Sequence, residues 1–171
     1  MGLTAVFILL GLTASANATL PEQSVILSAD AAPKVIRPCS RNGINNVTSY
    51  WTPTSTQIWS LEGRLPVYLA KDKIKIKKSA KWLSGFYRQY VGVIVGGKRL
   101  IYGNFFPGPT MSGQFEWSIT KKVWKKEPVD ACDGGSDFWG IVFDVGSETF
   151  SPPVYSGTIS GPVSGADQDH K

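Results

Sequence analysis

Two runs rich in β-branched and aromatic residues, separated only by Gly96–Gly97, constrain this fold more than any other feature. They read FYRQYVGVIV and KRLIYGNFF. A Gly-Gly dipeptide supplies the positive φ angles of a two-residue hairpin turn, so the sequence predicts an antiparallel hairpin here. Gly92, inside the first strand, indicates a bulge or a close approach by another element, and the amphipathic helix is the candidate to cross there.

An amphipathic helix precedes the hairpin. Four apolar residues recur at helical spacing on one face: Ile58, Leu61, Leu65 and Leu69. Two start signals are present, Thr52 before Pro53 and Thr54 with Gln57 as a capping box. Pro66 has no amide hydrogen and disfavours helical geometry at the residue before it, so we expect the helix to end or kink there.

Further strand-like runs follow the hairpin. Residues 129–132 and 138–143 flank the turn DGGSD and predict a second hairpin, and 149–155 predicts an edge run. One helix followed by antiparallel hairpins predicts an α+β domain, with the amphipathic helix packed on an antiparallel sheet of about four strands.

Residues 1–18 have the features of an export signal. Their apolar run is far shorter than the ~20 residues of a spanning helix and ends in Ala16-Asn17-Ala18, a small-x-small cleavage pattern. We therefore expect a secreted or periplasmic protein that begins near Thr19 and has no stable membrane anchor. Residues 19–38 are expected to be a flexible lead-in, 39–155 a single domain, and the Gly/Ser/Pro-rich 156–171 a disordered tail.

The chain has two cysteines, Cys39 and Cys132. In an oxidising compartment an even count favours a disulfide, whereas a zinc site would need more thiols or histidines. We expect their α-carbons to lie about 4.4 to 6.8 Å apart. The alternative is two separate buried thiols.

The formal charge of +5 lies entirely outside residues 1–18 and indicates an anionic partner. An unknown protein or an anionic polymer is favoured over nucleic acid. The segment KDKIKIKKSAK predicts a basic strand or extended loop that binds anions, or else an edge that keeps the chain soluble. Its candidate binding residues are Lys73, Lys75, Lys77, Lys78 and Lys81.

Binding by hairpin tips is the second part of the functional hypothesis. The tip residues are Gly96, Gly97 and Lys98 in the first hairpin and Asp133, Gly134 and Gly135 in the second. Aspartates near the second tip, including Asp130 and Asp137, are typical of turns, and their spacing is not that of a calcium loop.

Catalysis is the alternative hypothesis, in the form of a small hydrolase that uses paired carboxylates on the concave sheet face. Glu62, Glu116 and Glu127 are the candidates. The one histidine, His170, is next to last in the chain and is poorly placed to activate a nucleophile. No cofactor motif is present. We expect a non-catalytic protein whose concave face is filled by the helix packing on Val91 and Val93.

Several short motifs resemble a group of uncharacterised exported bacterial proteins whose elements follow a cystatin-like order. The motifs are Trp51-Thr-Pro53, Ile58-x-x-Leu61-Glu62-x-x-Leu65, Arg88-Gln89-Tyr90-Val91-Gly92, and Cys132-Asp133-Gly134-Gly135 with Trp139-Gly140. The resemblance implies the α+β order above and carries no activity. The Gln-x-Val-x-Gly inhibitor motif of true cystatins is missing.

Overall fold

The computed structural model describes residues 19–71, 83–108, 122–132 and 134–157 of the 171-residue chain. The export signal, the five candidate lysines between 73 and 81, Glu116, Asp133 and the tail beyond Gly157 lie outside the described residues. Predictions on those segments stay predictions.

The described ranges form an α+β fold in which seven strands make one mixed sheet. The strands are β1 Ser24–Ile26, β2 Val47–Trp51, β3 Phe86–Val95, β4 Lys98–Pro107, β5 Trp139–Asp144, β6 Thr149–Phe150 and β7 Val154–Tyr155. Antiparallel β3, β4 and β5 form its centre, while β1, the one strand with a parallel pairing, and β2 lie end to end along β3. In the same way β6 and β7 share the free edge of β5. These short edge strands raise the number above the four or so expected.

The β3–β4 hairpin confirms the prediction from Gly96–Gly97. Both glycines have positive φ, 55° and 76°, and Val95 pairs with Lys98 across the turn. Gly92 is a site of close approach, but the neighbour is Trp51 of β2 and not the helix. A Cβ added at Gly92 would lie 2.5 Å from the Trp51 ring and from its carbonyl oxygen, so any larger residue would displace β2.

Two α-helices lie among the described elements, α1 (Ala32–Val35) and the long α2 (Ser55–Lys71). The capping box begins α2: the Thr54 amide donates to Gln57 Oε1 at 2.9 Å, and the Gln57 amide donates to Thr54 Oγ1 at 3.3 Å. Of the two outcomes expected at Pro66, an end or a kink, the end is wrong, because the helix continues and buries Leu69 in the same core as its earlier apolar residues. Tertiary packing here outweighs the local cost of proline.

One face of the sheet packs against α2. Its buried residues are Phe86, Tyr90, Ile101, Phe105, Trp139, Ile141 and Phe143, and they contact the apolar stripe of the helix. The expected contact with Val91 and Val93 is wrong, since these two residues belong to a cluster on the opposite face. Successive strand residues alternate between faces, so the helix contacts the even-numbered residues of β3.

The amino-terminal segment covers part of that second face, which corrects the expectation of a flexible lead-in at 19–38. It contains β1 and α1, and it buries Leu27, Ala32, Val35 and Ile36 against β3. The order comes from contacts distant in sequence, because the segment has no helical or strand period of its own.

The segment 122–132 covers the other end of the second face. Trp124, Val129 and Ala131 are buried there with Phe106 and Phe138. The second hairpin predicted for 129–132 and 138–143 is therefore wrong: no strand is assigned to 129–132, and β5 pairs with β4, β6 and β7 instead. The predicted edge run over 149–155 is present as the two short strands β6 and β7.

Cys39 and Cys132 form a disulfide with their α-carbons 5.0 Å apart. It confirms the predicted pairing and joins the segment after α1 to the end of 122–132.

Candidate functional site

The β3–β4 tip and the β5–β6 turn lie at the same end of the sheet. Leu100 of β4 pairs with Asp144 of β5, which places both turns just beyond that pair. Gly96, Gly97 and Lys98 are exposed, as the sequence predicted for a hairpin tip. The Lys98 side chain is 71% exposed, and its Nζ lies 3.6 Å from Asp144 Oδ2.

A second cation, Arg99, lies beside Lys98. Its guanidinium carbon is 3.8 Å from the centre of the Trp51 ring, a cation–π arrangement that holds the charge against the sheet edge. The Arg99 carbonyl accepts a hydrogen bond from the Val145 amide at 3.0 Å. Together these contacts form a groove of about 470 Å³, here called the tip groove, lined by residues 97–99 and 144–147.

Asp144 orders one wall of the tip groove. Its Oδ1 accepts hydrogen bonds from the amides of Gly146, at 2.9 Å, and Ser147, at 3.2 Å. The Ser147 amide is the largest cause of a pKa below the usual aspartate range, with further lowering from Gly146 and Lys98. The groove therefore has two cations beside one well-held carboxylate.

The other predicted tip residues lie elsewhere. Trp139 pairs with Phe105, so Gly134 and Gly135, which precede β5, lie at the opposite end of the sheet from Lys98. The Gly135 amide donates to the Gly157 carbonyl at 3.3 Å. The structure thus separates Gly134 and Gly135 from the first set of predicted tip residues.

Beneath α2, Glu62 is held by two residues of β3. The Tyr90 hydroxyl donates to Glu62 Oε1 at 2.5 Å, and Arg88 Nε lies 3.1 Å from the same oxygen. The Arg88 guanidinium also donates to the Leu83 carbonyl at 2.9 Å. Burial, and then the Glu62 carboxylate, raise the pKa of Tyr90 well above its ordinary value. This cluster ties α2 to the sheet.

The candidate carboxylates do not converge in the described ranges. Glu62 faces Tyr90 on the helix side, whereas Glu127 is exposed and its carbonyl binds the side chain of Gln89, which points to the second face. Because the sheet lies between them, this pair cannot share one substrate.

A buried polar network occupies the second face between its two apolar clusters. Arg41 Nε donates to the Tyr102 hydroxyl at 3.1 Å, its Nη1 donates to Ser156 Oγ at 3.0 Å, and its Nη2 donates to Asn104 Oδ1. Asn104 Nδ2 donates to Gln89 Oε1 at 3.1 Å. Burial is the main cause that raises the pKa of Tyr102, and Arg41 opposes it.

Gln89 carries this network into the segment 122–132. Its Nε2 donates to the carbonyls of Trp124 and Glu127, both at 2.6 Å, and its Oε1 accepts the Val129 amide at 2.9 Å. Asn104 Nδ2 adds a bond to the Val129 carbonyl at 2.8 Å. The side-chain amides of Gln89 and Asn104 thus form hydrogen bonds with the backbone of a segment that pairs with no strand.

The sequence signal for this network was the position of Gln89 and Asn104. Each is a polar residue inside an apolar strand, and the turn at Gly96–Gly97 places them directly opposite one another. They were not among the predicted site residues.

No protein-family model, curated protein or solved structure matches this chain. Its function is therefore inferred from its own geometry. Among the residues that the structure describes, no three or more His, Cys, Asp or Glu side chains are grouped to hold a metal ion. Asp130 instead accepts the Cys39 amide at 3.0 Å. In the same ranges no helix is long and apolar enough to cross a membrane.

Proposed function

We propose that this chain is an exported binding protein that recognises an anionic ligand, either a protein surface or an anionic polymer, through the tip groove and the lysines between 73 and 81. The observation that carries the proposal is the exposure of Lys98 and Arg99 beside an open groove. Two adjacent cations on a rigid hairpin attract anions, and Trp51 limits the entropy that Arg99 loses on binding.

The filled helix face supports binding over turnover. Ile58, Leu61 and Leu65 are fully buried against the sheet, and Glu62 is engaged by Arg88 and Tyr90. A hydrolase with paired carboxylates would need a cleft in this place, so the geometry favours the binding hypothesis.

The family relationship is part of the same proposal. We infer a kinship with small exported proteins of cystatin-like order, supported by one long helix that packs across the antiparallel strands β3, β4 and β5. In this scheme the helix and the sheet act as a scaffold for the turns.

Chromatography on immobilised heparin tests the tip groove. K98Q/R99Q removes two exposed tip charges, and K122Q/K126Q is the matched control because it removes two exposed charges elsewhere. If both tip residues contact the polyanion, the slope of log affinity against log salt should fall by about two for K98Q/R99Q. A smaller fall is expected for the control, through net charge alone.

The lysine segment is tested in parallel. K73Q/K75Q/K77Q/K78Q/K81Q should lower the eluting salt concentration steeply if these lysines bind the ligand. If K98Q/R99Q elutes at the same salt concentration as K122Q/K126Q, the tip contributes only net charge. If the five-lysine variant is retained as strongly as the wild type, the lysine segment has only a solubilising role.

A further inference from the structure

A second groove lies on the opposite face of the sheet from α2, between α1 and the segment 122–132. We call it the side groove. It has a volume of about 660 Å³ and is lined by Lys34, Arg37, Glu127, Pro128 and Asp130. This volume lies within the range of small-molecule sites.

The charges of the side groove are segregated by wall. Lys34 and Arg37 lie on the α1 wall, and Glu127 and Asp130 lie on the other. Each wall spaces its two charges three residues apart. The four residues are exposed, and no ion pair joins the two walls within the described ranges. Opposite charges that face a groove without pairing leave room for a ligand that pairs with both.

The wall formed by the segment 122–132 is held in place from below. The Gln89 amide binds the Glu127 carbonyl at 2.6 Å, and Asn104 binds the Val129 carbonyl at 2.8 Å. The disulfide and the bond from the Cys39 amide to Asp130 then join the two walls at one end. A groove fixed in this way loses little conformational entropy on binding.

We propose that the side groove binds a zwitterionic oligopeptide, whose carboxylates pair with Lys34 and Arg37 and whose ammonium groups pair with Glu127 and Asp130. An anionic polymer fits poorly here, because two carboxylates line the second wall. The side groove is therefore a site separate from the tip groove, with a different class of ligand.

NMR titration of the oxidised full chain with the tripeptide Lys-Ala-Glu, its termini free, tests this assignment. The control ligand is Gln-Ala-Gln with both termini blocked. We expect amide shifts confined to the side-groove walls with the charged peptide, and none with the neutral one. R37Q and E127Q should each weaken binding about fivefold, the value of one exposed ion pair of about 1 kcal/mol.

Matched variants separate a specific loss from a general charge effect. R64Q and E148Q make the same substitutions at an exposed ion pair outside the groove, and both should bind the peptide as the wild type does. The proposal fails if the wild type shows no shifts at millimolar peptide, if the neutral peptide binds equally well, or if R37Q and E127Q behave like R64Q and E148Q. None of these outcomes depends on retention on heparin.

Discussion

Replacing Gln89 by glutamate tests the role of the buried network with a change of nearly the same shape. Gln89 is fully buried, and its Nε2 donates to two carbonyls, those of Trp124 and Glu127. A carboxylate has no hydrogen to donate, so Q89E would place a negative charge against two carbonyl oxygens. Protonation restores one of the two donors.

The size of the effect follows from burial. Full burial raises the pKa of a carboxyl by up to about 3 to 5 units above the unfolded value near 4.3, which corresponds to a cost of up to about 4 kcal/mol near pH 7. The carbonyl left without a donor adds about 1 to 3 kcal/mol at every pH. Because the folded pKa is the higher one, the first cost is absent below about pH 4 and grows as the pH rises through the unfolded value.

Urea unfolding followed by tryptophan fluorescence, at about pH 4 and about pH 7, measures both parts. The matched control is Q57E, because Gln57 occupies the capping-box position where glutamate serves equally well. The free energy of unfolding of Q57E should stay close to that of the wild type at both pH values. A Q89E protein within about 1 kcal/mol of the wild type at pH 7, or equally destabilised at both pH values, would refute the role assigned to this amide.

Two further predictions concern the sheet. G92A should destabilise the folded protein by about 3 kcal/mol, because the added methyl group would clash with the backbone as well as the indole ring of Trp51. G63A should stabilise α2 by about 0.5 to 1 kcal/mol, because a Cβ at this position has no other atom within 4 Å. Equal urea midpoints for the two variants would contradict the close approach. Y90F should lower the free energy of unfolding by about 1 kcal/mol near pH 8, because it removes the hydrogen bond to Glu62. The difference in unfolding free energy between wild type and Y90F should be smaller at about pH 11. It narrows because the wild type loses stability as unfolded Tyr90 ionises above about pH 10, so a gap constant with pH would contradict the raised pKa.

Elements set by local interactions were predictable from the sequence. The turn at Gly96–Gly97 needs only two positive φ angles, and the capping box of Thr54 and Gln57 needs only a spacing of three residues. The errors arose where distant contacts decide the structure. Packing of Leu69 stabilises the part of α2 that follows Pro66. Residues 19–38 are ordered because they pack on the apolar residues of the second face of the sheet.

The same distinction between local interactions and distant contacts applies to the candidate sites. Lys98 was predictable from the turn alone, but the contributions of Asp144 and Arg99 depend on the register between β4 and β5, which no short motif encodes. The side groove depends on where the unpatterned segment 122–132 lies, and its bonds to Gln89 and Asn104, which are distant in sequence, fix that position.

The disulfide has a consequence for how the chain matures. The 171 residues contain two cysteines, which can form one internal disulfide, and these partners are 93 residues apart. If the chain is exported amino terminus first, as proposed above, Cys39 enters an oxidising compartment long before Cys132. An oxidase alone suffices, since no wrong internal pairing exists for an isomerase to correct. The incorrect product that remains is a covalent dimer, in which a disulfide joins the Cys39 thiols of two chains before Cys132 reacts.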